Sequence, residues 1–145
     1  MQDKHAGDRH VLSVPGRYEE IKHICQFVAD GAEEAGLDEA AIFHVELACD
    51  EACTNIIEHA YGGEDVGDIL ISWQVTGDSF TVTIHDNGRA FDPRDVPAPP
   101  PLENLKEGGL GLHFMRTLMD DVRFAFDEES GNTLVMVKKI PGEET

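Results

Sequence analysis

Two runs of alternating apolar residues, at residues 68–75 and 80–85, constrain the fold most strongly, because a period of two is typical of half-buried strands. Gly77 and Asp78 lie in the short connection between the runs, which predicts an antiparallel hairpin. The inward positions are Ile69, Ile71, Trp73 and Val75 on the first strand, and Phe80, Val82 and Ile84 on the second. A sheet with an apolar face needs a second layer to cover it.

Two long helical patterns precede the hairpin and supply that layer. Apolar residues recur at helical spacing over residues 18–35, and Gly36 predicts the end of this first helix. Asp38 predicts the N-cap of a second helix that runs to about Tyr61. Both helices should place their apolar stripes on the sheet.

Three more strands are predicted at residues 10–14, 122–127 and 133–140, with a short helix at about 112–119. Between the hairpin and this helix, residues of about 91–107 show no period and hold five of the seven prolines. So long a loop in a compact domain is usually functional, and we expect a lid. The order of elements predicts an α/β (α+β) two-layer sandwich, with helices on one face of a mixed, mostly antiparallel sheet.

The length of 145 residues and a hydrophobic content of 41% suit one globular domain. We expect this domain at residues 10–140, with a flexible arm at 1–9 and a tail at 141–145. No apolar run approaches the roughly 20 residues that a membrane span needs, so no membrane partner is expected.

The net charge limits which partners the protein can bind, and the cysteine content indicates its cellular compartment. The formal net charge is −18, from 29 acidic and 11 basic residues. Such a field repels nucleic acid and favours a basic protein partner. Cys25, Cys49 and Cys53 are odd in number, and reduced thiols in a cytoplasmic protein are the simplest interpretation. The spacing of Cys49 and Cys53 leaves a metal-binding pair open as an alternative.

Three segments carry residues suited to binding a nucleotide. Glu51 and Asn55 lie four apart on one face of the second helix, where an amide oxygen can ligate Mg²⁺ and a carboxylate can act as a base. Asp86 and Gly88 follow a strand, where a carboxylate can accept a bond from an exocyclic amine and glycine allows close approach. A glycine-rich run at 108–111 opens a helix, whose free N–H groups attract anions.

Each segment also has an ordinary interpretation: a solvated helix face, a simple Asn-Gly turn, and a flexible hinge. Their order along the chain is more informative than any one of them. The strongest segments read Asp50-Glu51-Ala52-Cys53-Thr54-Asn55 and Gly108-Gly109-Leu110-Gly111-Leu112. From about His10 to Lys139, the chain resembles the GHKL ATPase superfamily of gyrase, MutL and the histidine kinases. Within it, the sequence is most similar to anti-sigma factor serine kinases of the RsbW and SpoIIAB type.

This resemblance implies a Bergerat-type ATP-binding fold and a role for each matching residue. Glu51 would be the general base toward a serine hydroxyl, and Asn55 would ligate Mg²⁺. Asp86 would bind the adenine amino group, with Gly88 beside the base. The phosphate loop would comprise Gly109, Leu110, Gly111 and Leu112. Thr133 would place a hydroxyl near the adenine.

The resemblance also implies partners and an activity. The protein would bind ATP and Mg²⁺, hold a sigma factor, and phosphorylate a serine on a STAS-type antagonist protein. Members of this family commonly form dimers, so a homodimer is possible. The alternative is an ATP-binding regulatory module with little or no phosphoryl transfer. Glu51 favours the kinase, because a pure nucleotide sensor would not need a base.

Overall fold

The computed structural model describes residues 8–89 and 111–141. The arm, the tail and the lid predicted at about 91–107 fall wholly or mostly outside these residues, and those domain boundaries stay predictions. The elements are β1 (Arg9–Pro15), α1 (Tyr18–Ala35), α2 (Glu39–Asn55), a π-helix (Ile56–Tyr61), β2 (Asp68–Thr76), β3 (Ser79–Asp86), α3 (Gly111–Leu118), β4 (Asp121–Asp127) and β5 (Gly131–Lys139).

The five strands form one sheet in the order β1-β2-β3-β5-β4, and all four pairings are antiparallel. The alternating faces predicted for β2 and β3 are confirmed, since every inward residue is buried in a core shared with α1 and α2. The α+β two-layer sandwich is therefore confirmed, with a sheet that is antiparallel throughout the described residues.

The predicted helix boundaries are also confirmed. Gly36 adopts a left-handed φ of 99° after α1, where a side chain would be strained. Asp38 caps α2, and its carboxylate accepts a hydrogen bond from the backbone N–H of Ala41 at 2.8 Å. Beyond Asn55 the helix continues in the wider π form to Tyr61, a change that the apolar spacing did not indicate. Such π segments are frequent at functional sites.

Trp73 fixes the distance between α1 and the sheet. Its ring stacks on His10, with centroids 3.9 Å apart, and it lies against Gly31 of α1. A Cβ at Gly31 would lie 2.3 Å from Trp73 Cε2, so only glycine lets the helix approach this closely. The interpretation of Trp73 as a packing residue is confirmed.

The register between β3 and β5 places the residues of the candidate site. Asp86 lies directly opposite Asn132, and His85 lies opposite Thr133. Opposed residues of antiparallel strands project from the same face of a sheet. The Asp86–Asn132 pair shares the face of the buried core, whereas the His85–Thr133 pair projects from the other face.

All three cysteines are free thiols, and Cys49 and Cys53 are buried. Among residues 8–89 and 111–141, no group of three or more histidine, cysteine or acidic side chains could hold a metal ion. The metal-binding alternative for Cys49 and Cys53 therefore finds no support there. None of the described helices combines the length and apolar character needed to cross a bilayer.

Candidate nucleotide site

Asp86 ends β3 as a buried carboxylate with an exposed fraction of only 3%. Its Oδ1 atom accepts two hydrogen bonds, one from the Gly88 backbone N–H and one from Asn132 Nδ2, each at 2.9 Å. Burial raises the pKa of Asp86, and the hydrogen bonds from Asn132 and Gly88 oppose that rise. Both bonds from the described residues fall on Oδ1, so Oδ2 can accept a bond from a ligand amine.

Asn132 is a site residue that the sequence interpretation missed. Besides its bond to Asp86, Asn132 Nδ2 donates to the backbone carbonyl of Arg89 at 3.0 Å. Asn132 Oδ1 is buried and has no hydrogen-bond partner in the described structure. The signal that could have found it is the pairing of β3 with β5, which puts Asn132 opposite Asp86.

Asn55 ends α2 with its side chain buried at 3% exposure. Its Oδ1 atom is also enclosed without a hydrogen-bond partner in the described structure. An unpaired buried acceptor costs about 1–3 kcal/mol, so such a group calls for a ligand. A neutral amide oxygen is a ligand that Mg²⁺ accepts, and Asn55 therefore fits a magnesium site.

A pocket lies between α2, α3 and the strands β3, β4 and β5. Its apolar walls come from Ala52, Ile56, Ile84, Met115, Phe124, Phe126 and Leu134. Its polar side chains are Asn55, Asp86 and Asn132, and Thr133 also borders it. An apolar slot with a few convergent polar groups suits a flat aromatic base held by its edge.

Gly88 brings the turn after β3 against the end of the π-helix. A Cβ at Gly88 would lie 2.6 Å from the backbone oxygen of Ala60, so the contact requires glycine. The next residue, Arg89, fixes the same junction: its backbone N–H donates to Ala60 O at 2.9 Å and its Nε donates to His59 O at 2.8 Å. Terminal helix carbonyls need such outside partners.

Glu51 lies one helical turn before Asn55 and is partly buried. It is not among the side chains that line the pocket between described residues. Burial raises the pKa of Glu51, and the nearby carboxylates Asp50 and Glu58 raise it further. A carboxylate with a raised pKa is a stronger base, as the predicted role requires.

The other predicted residues are placed as follows. The Thr133 hydroxyl lies 3.1 Å from His85 Nδ1, on the sheet face opposite Asp86, although Thr133 borders the pocket. Gly111 and Leu112 form the start of α3, whose Met115, one turn later, lines the pocket. Gly109 and Leu110 lie outside the described residues.

This fold and pocket define a class of protein, the nucleotide-binding ATPase domains, and sequence comparison identifies the family. The pattern described as Histidine kinase-like ATPase domain matches residues 14–138. The chain belongs to this family and, within it, to the group of RsbW serine-protein kinases, as its relatives show.

The chain is 37% identical to the serine-protein kinase RsbW of Bacillus cereus (strain AH187), over 92% of this chain and 86% of that protein. It is equally similar to the serine-protein kinase RsbW of Bacillus thuringiensis subsp. konkukian (strain 97-27), with the same coverage. A solved structure of the RsbU and RsbW domains of a Mycobacterium tuberculosis protein superposes with a TM-score of 0.64. It shares 14% identity over 91% of this chain and about a third (32%) of that longer one, so it supports the fold alone.

Proposed function

We propose that this serine-protein kinase is an anti-sigma factor that uses ATP and Mg²⁺ to phosphorylate a serine on a STAS-type antagonist protein. Kinase activity itself follows from the family, whose relatives are serine-protein kinases. The observation that carries the proposal is a pair of buried polar groups facing one pocket. They are the Asp86 carboxylate and Asn55 Oδ1, which accepts no hydrogen bond from the described residues.

The pocket residues fit ATP in chemistry as well as position. Asp86 Oδ2 would accept the exocyclic amine of adenine, while the apolar walls cover the faces of the ring. Asn55 Oδ1 would ligate Mg²⁺, and the glycine-rich segment through Gly109, Leu110, Gly111 and Leu112 would donate backbone N–H groups to the phosphates. Bound ATP supplies the phosphoryl group, and the metal neutralises charge on its phosphates.

Glu51 would act as the base in the transfer. The serine hydroxyl loses its proton to the Glu51 carboxylate as its oxygen bonds to phosphorus, and the bond to the departing diphosphate breaks. Water is the competing nucleophile, and the predicted lid at about 91–107 would exclude it. The Thr133 hydroxyl lies with His85 on the other sheet face, so its contact with adenine stays a prediction from the family.

The sigma factor and the antagonist are proposed from the family and are consistent with the charge of the chain. A net charge of −18 disfavours nucleic acid as a ligand and attracts basic protein surfaces. A sigma factor acts in the cytoplasm, so we propose that compartment, where the three free thiols stay reduced. A homodimer stays a prediction.

Capture of partners from the native host tests the proposed function. The purified protein should retain a partner with Mg-ATP present, and mapping should find one new phosphoserine on a captured protein. Purified components should then reproduce the transfer. If partners are captured and none is phosphorylated under any condition, the protein acts as an ATP-dependent binding module instead.

Removing the Asn55 amide should abolish the magnesium dependence of ATP binding. Asn55→Ala deletes the neutral oxygen that we assign to the metal, so its ATP affinity should be the same with Mg²⁺ and with a chelator. Calorimetric titrations under both conditions measure this. Gln26→Ala removes an exposed amide from α1 and should keep the wild-type difference. A retained Mg²⁺ effect in Asn55→Ala would place the metal on other residues.

A further inference from the structure

A second concave surface lies on the opposite side of α2 from the nucleotide pocket. It is an open groove between α1 and α2, of about 1120 Å³ counting the solvent at its mouth. The proposed function does not use it. Its apolar lining includes Cys25 of α1 and Phe43 and Leu47 of α2.

Phe43 contributes a large, solvent-exposed apolar side chain to the groove. Its side chain is 60% exposed, whereas most other large apolar side chains of the helices turn into the core. Cys25 and Leu47 lie beside it and are only partly buried. A contiguous apolar surface rimmed by polar groups is typical of an interaction site. An aromatic side chain of this kind commonly contributes a large share of binding energy.

The rim of the groove is acidic. Glu46 and Asp50 line it from α2, one turn apart, and Lys22 is the one cation among its lining residues. The pKa of the Cys25 thiol, which lies in the groove, is raised to about 12. Burial is the largest cause, and the negative charges of Asp50 and Glu46 raise it further. A ligand for this surface must therefore combine an apolar face with positive charge.

We propose that the groove docks a basic amphipathic helix of the kinase's protein substrate. Its apolar residues would pack on Phe43 and Leu47, and its lysine or arginine side chains would pair with Glu46 and Asp50. A channel between two helices accepts a third helix by ridge-into-groove packing. The acidic rim disfavours the same groove of a second copy as the occupant, because Glu46 and Asp50 of the two copies would face each other.

The position of the groove explains why a substrate would dock there. Asp50 and Thr54 line the groove, and the residues that follow them, Glu51 and Asn55, belong to the candidate site. Successive helical residues project about 100° apart, so one helix serves both surfaces. A substrate docked in the groove is therefore bound to the same helix that carries the proposed base. The inference rests on the proposed function in taking the docked protein to be the substrate.

Two synthetic peptides test the groove without requiring a known partner. Both have about 16 residues and the same apolar helical stripe, but one carries lysines and the other glutamates on its flanks. Amide chemical shifts of the labelled 15.9 kDa protein identify the surface that each peptide contacts. We expect the lysine peptide to shift residues of α1 and α2 around the groove, and the glutamate peptide to shift none.

Variants of the protein then distinguish specific binding in the groove from non-specific binding of the peptide elsewhere on the surface. Phe43→Ser and the double change Glu46→Gln with Asp50→Asn should each weaken the lysine peptide at least about tenfold. Val66→Ser is the matched control, because Val66 is 63% exposed and lies outside the groove, and it should change nothing. Equal binding of the two peptides, shifts centred elsewhere, or an equal loss in Val66→Ser would overturn the proposal. So would a wild-type dimer that Phe43→Ser dissociates.

Two further measurements distinguish a failure of the groove proposal from a failure of the proposed kinase function. Asp86→Asn should retain the lysine peptide, because the nucleotide pocket lies on the other side of α2. Once the phosphorylated partner is purified, Phe43→Ser should raise its KM at least about tenfold with little change in kcat. An unchanged KM would overturn the assignment of the groove to the substrate. A failure to phosphorylate any partner, with peptide binding intact, would overturn the proposed function and with it the identity of the docked protein.

Discussion

Glu51→Gln should slow phosphoryl transfer at least about 100-fold while leaving ATP affinity close to that of the wild type. Glutamine keeps the size of the side chain and much of its hydrogen bonding, but it cannot accept the serine proton. Single-turnover transfer to the purified partner and calorimetric titration with Mg-ATP measure the two effects separately. Transfer at the wild-type rate would mean that the base lies elsewhere or that none is needed.

The pH profile of the wild type gives an independent test of the same residue. Transfer requires Glu51 without its proton, so the rate should fall as the pH falls through the pKa of Glu51. Burial and the carboxylates of Asp50 and Glu58 raise that pKa, and the acid limb should lie above the ordinary glutamate value of 4.5. Glu58→Gln removes one of the charges and should move the limb to lower pH. If Glu58→Gln leaves the acid limb of the pH–rate profile unchanged, that limb reports the titration of a group other than Glu51.

Asp86→Asn should weaken ATP binding by about 1–3 kcal/mol, or about 5- to 150-fold in Kd. The carboxylate is acceptor-only, whereas the amide presents an NH₂ group that can oppose the exocyclic amine of adenine. Calorimetry with Mg-ATP measures the loss, and GTP should bind the wild type much less well because it presents a carbonyl at that position. Equal affinity in the wild type and the variant would remove Asp86 from the site.

The stability of the same variant distinguishes lost recognition from lost structure. The folded-state pKa of Asp86 is raised, so its contribution to stability is greatest below its unfolded pKa and is lost as the pH rises through the folded pKa. Asp86→Asn removes this burial cost, and its new carbonyl can still accept the bonds from Gly88 and Asn132. At neutral pH the nucleotide-free variant should therefore melt no lower than the wild type. A much lower melting temperature would attribute the lost affinity to misfolding.

Much of the fold could be predicted because local rules and burial agree. Gly36 and Asp38 end one helix and start the next for reasons that belong to the backbone alone. The strands β2 and β3 alternate strictly, which fixes the buried face. For the site, the spacing on α2 and the strand-end turn identify Asn55 and Asp86 as candidates, and the structure brings both into one pocket.

The parts that the sequence did not reveal depend on pairings distant along the chain. Thr133 and Asn132 are neighbours, but a step of one residue in a strand moves a side chain to the other face. Only the register with β3 shows that Asn132 shares the face of Asp86. The groove depends likewise on how two helices pack, because that packing places Phe43 of α2 and Cys25 of α1 on one surface. The roles assigned to Glu51, Asn55, Asp86 and Thr133 stay predictions.

The NH₂ group of Asn132 joins the end of β3 to the start of the predicted lid, because it donates hydrogen bonds to both. One direction of the group is occupied by Asp86 Oδ1 and another by the Arg89 carbonyl, at the last described residue before the predicted lid. A rotation of the Asp86 carboxylate must therefore disturb the anchorage of Arg89, and the reverse also holds. ATP and ADP carry the same base, so both should have the same effect on these two hydrogen bonds of Asn132. Any difference between the ATP and ADP complexes should therefore arise at groups that contact the phosphates.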